Sequence, residues 1–361
     1  MIRQLIFTLT FFPVLLLTAA AQSVADKTDE FVHAEMKRQR IPGVSVAIVR
    51  DGKIIKAKGY GLANVELNTA VTPDSVFQIG SVSKQFIATG IVLLAQDGKL
   101  NLEDKINQHL EAGPDLWKDI TIKHLLTHTS GLAREAPGFN FLRAQSDADV
   151  IKSAYATPLQ FAPGEKWEYC NLGYFILADI IRVVSGKPWP EFMDERVFKP
   201  AGMNATRATT MTEIVPNRAH SYAWRQDKLQ NADVLLSVRP SGAFLSTVLD
   251  LAKWDAVLYS DAILKAPWRE WMWKPAAVTT RKVDATNFYQ YGFGWQVGQI
   301  KGHREVTHGG SLTGFRSVMT RFIDDKLTII VLTNVENADP VVIARGIAGI
   351  NLPDLAAVTT K

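Results

Sequence analysis

An α+β fold is predicted for this chain, and three features of the sequence predict it. A Val/Ile-rich pair of strands joined at Asp51-Gly52 stands near the N-terminus. The C-terminal part returns to the same texture. Between the two, residues 75–290 read as apolar-periodic segments broken by Pro and Gly, which is the pattern of packed helices. An antiparallel sheet drawn from both chain ends, with flanking terminal helices and an inserted mostly helical domain, accommodates all three. Residues 22–74 and 291–361 are assigned to the sheet domain and 75–290 to the insertion, with the ligand site expected in the cleft between them.

At the start of the chain, Arg3 precedes the apolar run Leu5 to Leu17, and Ala19-Ala20-Ala21 supplies an A-x-A cleavage pattern ending before Gln22. Residues 1–21 therefore read as a secretory signal peptide, removed on passage across the inner membrane into the periplasm. A membrane anchor is the rival reading, but the run is shorter than the roughly 20 residues a spanning helix needs, and Pro13 interrupts it. No Cys ends the run, so no lipid attachment site stands there, and no stable membrane anchor is expected after cleavage.

Asp26 to Arg40 has the length of a helix and is stopped by Ile41-Pro42-Gly43. Gly43 to Arg50 and Lys53 to Gly61 form a hairpin about Asp51-Gly52. In the insertion, Ile87, Ile91 and Leu94 mark a helix that opens near Ser81 and stops at Asp97-Gly98; Phe175, Ile180 and Val183 mark another. Phe293 to Ile300, Arg316 to Ile323 and Leu327 to Thr333 read as strands, the last two joined at Asp324-Asp325, and Pro340 to Ile347 as a closing helix. There is no internal repeat.

With 361 residues, 47% hydrophobic and 21% charged, the composition is that of a globular protein with a large core. The formal net charge of +4 is small and its basic residues are scattered, so no nucleic-acid partner is expected. A single cysteine, Cys170, excludes an intrachain disulfide and any multi-Cys metal site. It reads as a small buried filler.

Chemistry concentrates in three strings. The first is Phe77-Gln-Ile-Gly-Ser81-Val-Ser-Lys84, at the opening of a helix apolar on nearly every side. Residues three apart on a helix share a face, so the Ser81 hydroxyl and the Lys84 amine come within hydrogen-bond reach. A serine hydroxyl is a poor nucleophile until a neighbour takes its proton, and a lysine does so when burial or nearby positive charge lowers its pKa. Alone, an S-x-x-K string says little. The second string, Tyr169-Cys170-Asn171, adds a phenol and an amide two apart, which in an extended segment project from one side. A phenol beside a lysine suits a shared proton carrier. The third, Thr307-His308-Gly309-Gly310-Ser311, is expected at the edge of the sheet, where glycines let backbone approach a substrate closely.

These strings, in this order, resemble the motif set of class C β-lactamases, serine DD-peptidases, D-aminopeptidases and related esterases, over nearly the whole mature chain. His124-Leu-Leu-Thr-His128-Thr-Ser-Gly131, Pro163-Gly164, Gly242-Ala-Phe-Leu-Ser-Thr247 with Asp250-Leu251, and Tyr291-Gly-Phe-Gly-Trp295 add to the match. By matching position the resemblance implies a β-lactamase/transpeptidase-like fold, with Ser81 as nucleophile, Lys84 as its proton acceptor and Tyr169 as base and acid. It implies that Asn171, His308 and Gly310 contact the substrate, and that the backbone N–H groups of Ser81 and Ser311 form the oxyanion hole. No cofactor and no metal are implied. The chain departs from the lactamases at His308, which stands where they carry lysine. A mostly neutral imidazole anchors a substrate carboxylate less firmly, which ranks ester or peptide hydrolysis through an acyl-enzyme above β-lactam hydrolysis. Two alternatives stay open: a β-lactamase, and a non-catalytic penicillin or wall-peptide binding module that kept the site.

Other features have plainer readings. His124 and His128 have the spacing of a zinc-ligand pair, but without an H-E-x-x-H string or a third ligand in sequence they read as structural, capping the turn at Ser130-Gly131. Trp167, Trp224 and Trp295 read as core aromatics, and Arg134 and Glu135 as a polar loop outside the site. G-x-S-x-G and P-loop strings do not occur.

Overall fold

A computed structural model describes residues 14–208, 213–232, 239–242, 244–284 and 287–358, with side chains between 26 and 356. Its backbone is a large antiparallel sheet. In chain order the strands are β1 (Gly43–Arg50), β2 (Lys53–Asn64), β3 (Thr69–Ala70), β4 (Ala277–Lys282), β5 (Phe288–Tyr291), β6 (Gln296–Ile300), β7 (His303–Leu312), β8 (Phe315–Phe322) and β9 (Leu327–Thr333). Among the described residues they lie in the order β3-β2-β1-β9-β8-β7-β6-β5-β4. The first long strand therefore pairs with the last, from Val44 opposite Thr333 to Arg50 opposite Leu327. That is the sheet from both chain ends that the sequence predicts.

Helices cover both faces, which is why the inner strands are near-continuous Val/Ile runs rather than alternating ones. On one face Val44, Val46, Ile48, Ile329 and Val331 pack against α1 (Val14–Gln39) through Val32 and against the closing helix Pro340–Asn351 through Ile343 and Ile347. On the other face Ala47, Val49, Met319, Ile330 and Leu332 join the core of the inserted helices. Chief among these are α2 (Lys84–Gln96), α3 (Leu172–Ser185) and α4 (Val248–Val257), and we number the closing helix α5. Nearly all of α2 is buried, as its all-round apolar sequence requires.

The structure differs from the sequence reading at several strands. The third string is interior, not at an edge: β7 pairs with β6 on one side and β8 on the other. β6 begins at Gln296 rather than Phe293, because Gly292 to Trp295 turns there. β4 and β5 extend the sheet with residues ahead of position 291, where the sequence placed the return to the sheet. Most of the leader reading lies outside the described residues; from Val14 onward the chain is drawn as helix running into the one expected from Asp26. Among the described residues no helix is long and apolar enough to cross a membrane.

Candidate active site

Ser81 sits in a 3-10 turn, Gly80–Ser83, that runs directly into α2 at Lys84. Side chains three apart eclipse in a 3-10 turn, which aligns Ser81 and Lys84 more closely than an α-helix would. The turn is held from both sides. Ile79 N donates to Phe244 O at 3.0 Å, and the Ser83 hydroxyl accepts from Phe244 N at 3.2 Å. On the sheet side the Ser317 hydroxyl donates to Ile79 O at 2.7 Å. β7 passes so close that a Cβ on Gly310 would collide with Ile79 O and with Ser317 Oγ, and a Cβ on Gly80 would come within 2.7 Å of Ser311 N. Glycine at both positions is thus a packing requirement, and it brings the Ser311 amide against the Gly80-Ser81 peptide.

Lys84 is completely buried. Its Nζ lies 2.7 Å from Asn171 Oδ1, 2.8 Å from Ser241 O and 3.3 Å from Ser81 Oγ. The rings of Tyr169 and Tyr174 flank it at 4.7 and 5.2 Å. Burial, seconded by the charge of Arg239, holds Lys84 well below the ordinary lysine range. A neutral amine has two hydrogens and one lone pair. The two short contacts go to carbonyl oxygens, which only accept, so in the neutral amine that burial favours they would take both hydrogens and leave the lone pair for the hydroxyl of Ser81.

Tyr169 is held by the segment that carries the two histidines. Glu168 N donates to His128 O at 2.9 Å, Cys170 N to His128 Nδ1 at 3.2 Å, and Asn171 N to Arg134 O at 2.8 Å. The His128 ring packs at a tilt against Tyr169, ring centres 4.4 Å apart. Burial pushes the Tyr169 phenol up to about 12, against the opposing pull of its hydrogen bond with Ser81 and of the Arg134 charge. Burial thus favours the neutral phenol at Tyr169 and disfavours the charged form of the lysine beside it. His124 accepts from Thr121 N and so caps the start of its own helix, not the turn at Ser130-Gly131. Cys170 is buried, its thiol raised to about 12 by that burial, and it donates to Ala133 O. It is an inert filler here.

The cleft in front of Ser81 has a volume of about 630 Å³ and is walled by Tyr169, Trp167, Arg134, Arg281, Arg316 and the β7 backbone from His308 to Ser311, with Asp339 at its rim. Ser81, Tyr169, His308, Gly310 and Ser311 all border it. Asn171, expected to meet substrate, is instead buried and committed to Lys84 and to Glu135. His308 is 2% exposed. Its Nδ1 lies 2.7 Å from Gly309 O, which fixes the hydrogen there, and its Nε2 accepts from the Tyr291 hydroxyl at 2.9 Å. Burial lowers its pKa to about 3. Both ring nitrogens thus have partners within the protein, while the ring itself borders the cleft. Trp167 lines the cleft, whereas Trp295 is core and Trp224 stacks under Arg40 on the far side.

The sequence reading left out the residues that surround this centre. Glu135 accepts from Asn171 Nδ2 at 2.5 Å and pairs with Arg239 at 3.0 Å; Arg239 in turn donates to Ser241 Oγ at 3.1 Å. Arg134, Arg281 and Arg316 carry the positive charge of the cleft wall. Pairing Glu135 with Arg239 spans 104 positions, and no local pattern announces it.

The Beta-lactamase family model matches residues 28–351. Penicillin-binding protein 4* of Bacillus subtilis (strain 168) is 31% identical over 316 residues, covering 81% of this chain and 68% of that protein. Among solved structures, the octameric penicillin-binding protein homologue from Pyrococcus abyssi superposes with a TM-score of 0.82 at 26% identity, covering 91% of this chain and 77% of that one. The D-amino acid amidase from Ochrobactrum anthropi SV3 has the same fold, with a TM-score of 0.76 at 22% identity over 94% of this chain and 98% of that one.

Proposed function

Since the chain belongs to the Beta-lactamase family, we propose that it is an exported serine hydrolase that cleaves an ester or a peptide/amide bond through an acyl-enzyme on Ser81. The observation that carries this reading is the position of Lys84 Nζ, buried 3.3 Å from Ser81 Oγ with two carbonyl oxygens as its short contacts, an arrangement in which the neutral amine would turn its lone pair to the Ser81 hydroxyl. In acylation Ser81 Oγ bonds to the substrate carbonyl carbon and gives its proton to Lys84, directly or through the Tyr169 hydroxyl. The Tyr169 hydroxyl then protonates the leaving oxygen or nitrogen and is refilled from Lys84 as the old bond breaks. Water reverses the sequence and frees the acid. The Ser81 and Ser311 amides, brought together by the Gly80 and Gly310 contacts, supply two donors for the oxyanion.

This chemistry needs a neutral Lys84. Acylation by a fluorophosphonate is expected to rise with pH on a limb well below the ordinary lysine range and to stay on a plateau up to the alkaline region where Tyr169 ionises. A limb at ordinary lysine pH would refute the assignment.

Arginine, not His308, supports selection of a substrate anion. Arg281 stands on β4 at the cleft wall, its guanidinium without a hydrogen-bond partner among the described residues, and the Arg134 guanidinium lies on the same wall 5.0 Å from the Tyr169 ring. Arg281→Gln is expected to raise KM for carboxylate-bearing peptides about three- to tenfold, a screened surface-type effect, and to leave neutral p-nitrophenyl esters unchanged. Steady-state kinetics on both substrate types decides it; equal changes would remove the anion-selecting role. The penicillin-binding name of the Bacillus relative supports β-lactams as further acylating agents, and nitrocefin belongs on the same panel. Export supports a mature N-terminus at Gln22, which sequencing of the periplasmic protein tests.

A further inference from the structure

We propose that Glu135 and Arg239 are positioning residues that hold both hydrogen-bond acceptors of Lys84 and thereby aim its lone pair at Ser81. The inference rests on the acyl-enzyme reading above and concerns two residues outside the three strings.

The geometry is a closed set of contacts. A carboxylate only accepts, so the bond between Asn171 and Glu135 must come from Asn171 Nδ2, and that fixes the amide with Oδ1 toward Lys84. Remove the carboxylate and the amide is free to turn, presenting NH₂ to an amine that needs an acceptor. Arg239 braces the carboxylate through both oxygens, at 3.0 and 3.1 Å. The same guanidinium reaches Ser241 Oγ through Nε, tying down the residue whose carbonyl takes the other lysine hydrogen. Arg239 is 7% exposed and lies over the rings of Phe139 and Phe141 at 4.9 and 4.7 Å, so it has little freedom to leave. One ion pair therefore governs both acceptors.

The pair also bears on the charge of Lys84, with opposite signs. Glu135 favours the ammonium and Arg239 opposes it, while Arg134 on the same loop as Glu135 opposes it too. From α3 and the segment before it, Tyr169, Cys170 and Tyr174 face the amine. Behind them are His128 and His308, both held neutral by burial.

Opposite charges give opposite predictions, which a merely structural role does not. The readout is the pH dependence of fluorophosphonate labelling at Ser81, for wild type, Glu135→Gln, Arg239→Gln and the double variant, each checked by thermal melting. Glu135→Gln removes a negative neighbour, the ammonium is disfavoured, and the rising limb moves to lower pH. Arg239→Gln leaves Glu135 unpaired, the ammonium is favoured, and the limb moves to higher pH. At a pH on the wild-type limb the two rates are expected to change about threefold or more in opposite directions, with the double variant between them. Limbs that stay in place, or move the same way, overturn the proposal even if plateau rates fall. If Arg239→Gln does not fold, Arg239→Lys is expected to keep the wild-type limb, and if neither folds the downward shift in Glu135→Gln alone decides. Failure of the underlying reading looks different: labelling that survives Ser81→Ala, or a wild-type profile with no rising limb.

Discussion

Ser81→Ala is expected to abolish fluorophosphonate labelling and to reduce kcat on every accepted substrate by a factor on the order of 10⁶, as removal of the nucleophile does in other serine hydrolases. The effect should be this large because Ser81 is the hydroxyl that meets the lone pair of a buried neutral lysine. The substitution removes one exposed-side atom from a turn held by backbone contacts of Ile79 and Phe244, so the melting temperature should hardly move. Intact-mass measurement after labelling, together with turnover of p-nitrophenyl esters, D-alanyl peptides and nitrocefin, makes the comparison. Turnover of any one of them at the wild-type rate would mean that its chemistry occurs elsewhere. Binding without turnover in the wild type would favour the non-catalytic module over an enzyme.

Tyr169→Phe is expected to keep the fold and lower kcat by about 10²- to 10⁴-fold, the usual weight of a general acid–base. The ring would remain packed against His128 and flanked by the Lys84 amine and the Arg134 guanidinium, because those contacts involve its face and not its oxygen. What is lost is the hydroxyl that hydrogen-bonds Ser81 and carries the proton to the leaving group. The loss should shrink for substrates with good leaving groups, such as p-nitrophenolate, which need no proton to depart. Amides need one, so the ratio of amide to ester activity is the sensitive measurement. An unchanged ratio would assign Tyr169 to packing alone.

How much of this was legible beforehand follows from the range of each interaction. Ser81, Lys84 and Tyr169 lie in short strings whose chemistry is local, three residues apart in the first case, and the structure brings them together. β1 and β9 were legible because strands covered on both faces must be apolar throughout. β4 was not: of Ala277 to Lys282 only Thr279 is buried, so there is no alternation to read and the strand exists by pairing with β5. β7 was placed at an edge because its two glycines disfavour a central strand, and its place between β6 and β8 comes from neighbours rather than from its own sequence. Asn171 and His308 were read as facing substrate. The structure adds a bracing role that the strings do not announce: Asn171 bonds Glu135 from a distant loop, and His308, at the cleft, bonds the Tyr291 hydroxyl.

The pairing of β1 with β9 governs how the molecule is made. Arg50 meets Leu327 across roughly 280 intervening residues, and closing a loop of that length costs about 5 kcal/mol in chain entropy before any contact compensates it. A ribosome releasing the chain from its N-terminus therefore presents β1, apolar on both sides, long before its partner emerges. The central sheet cannot be completed during synthesis, and the growing polypeptide stays open and in need of protection from self-association. A chain truncated ahead of Leu327 would leave β1 and β8 with two bare edges, that of β1 Val/Ile-rich, so premature termination here yields aggregates and not a smaller working domain.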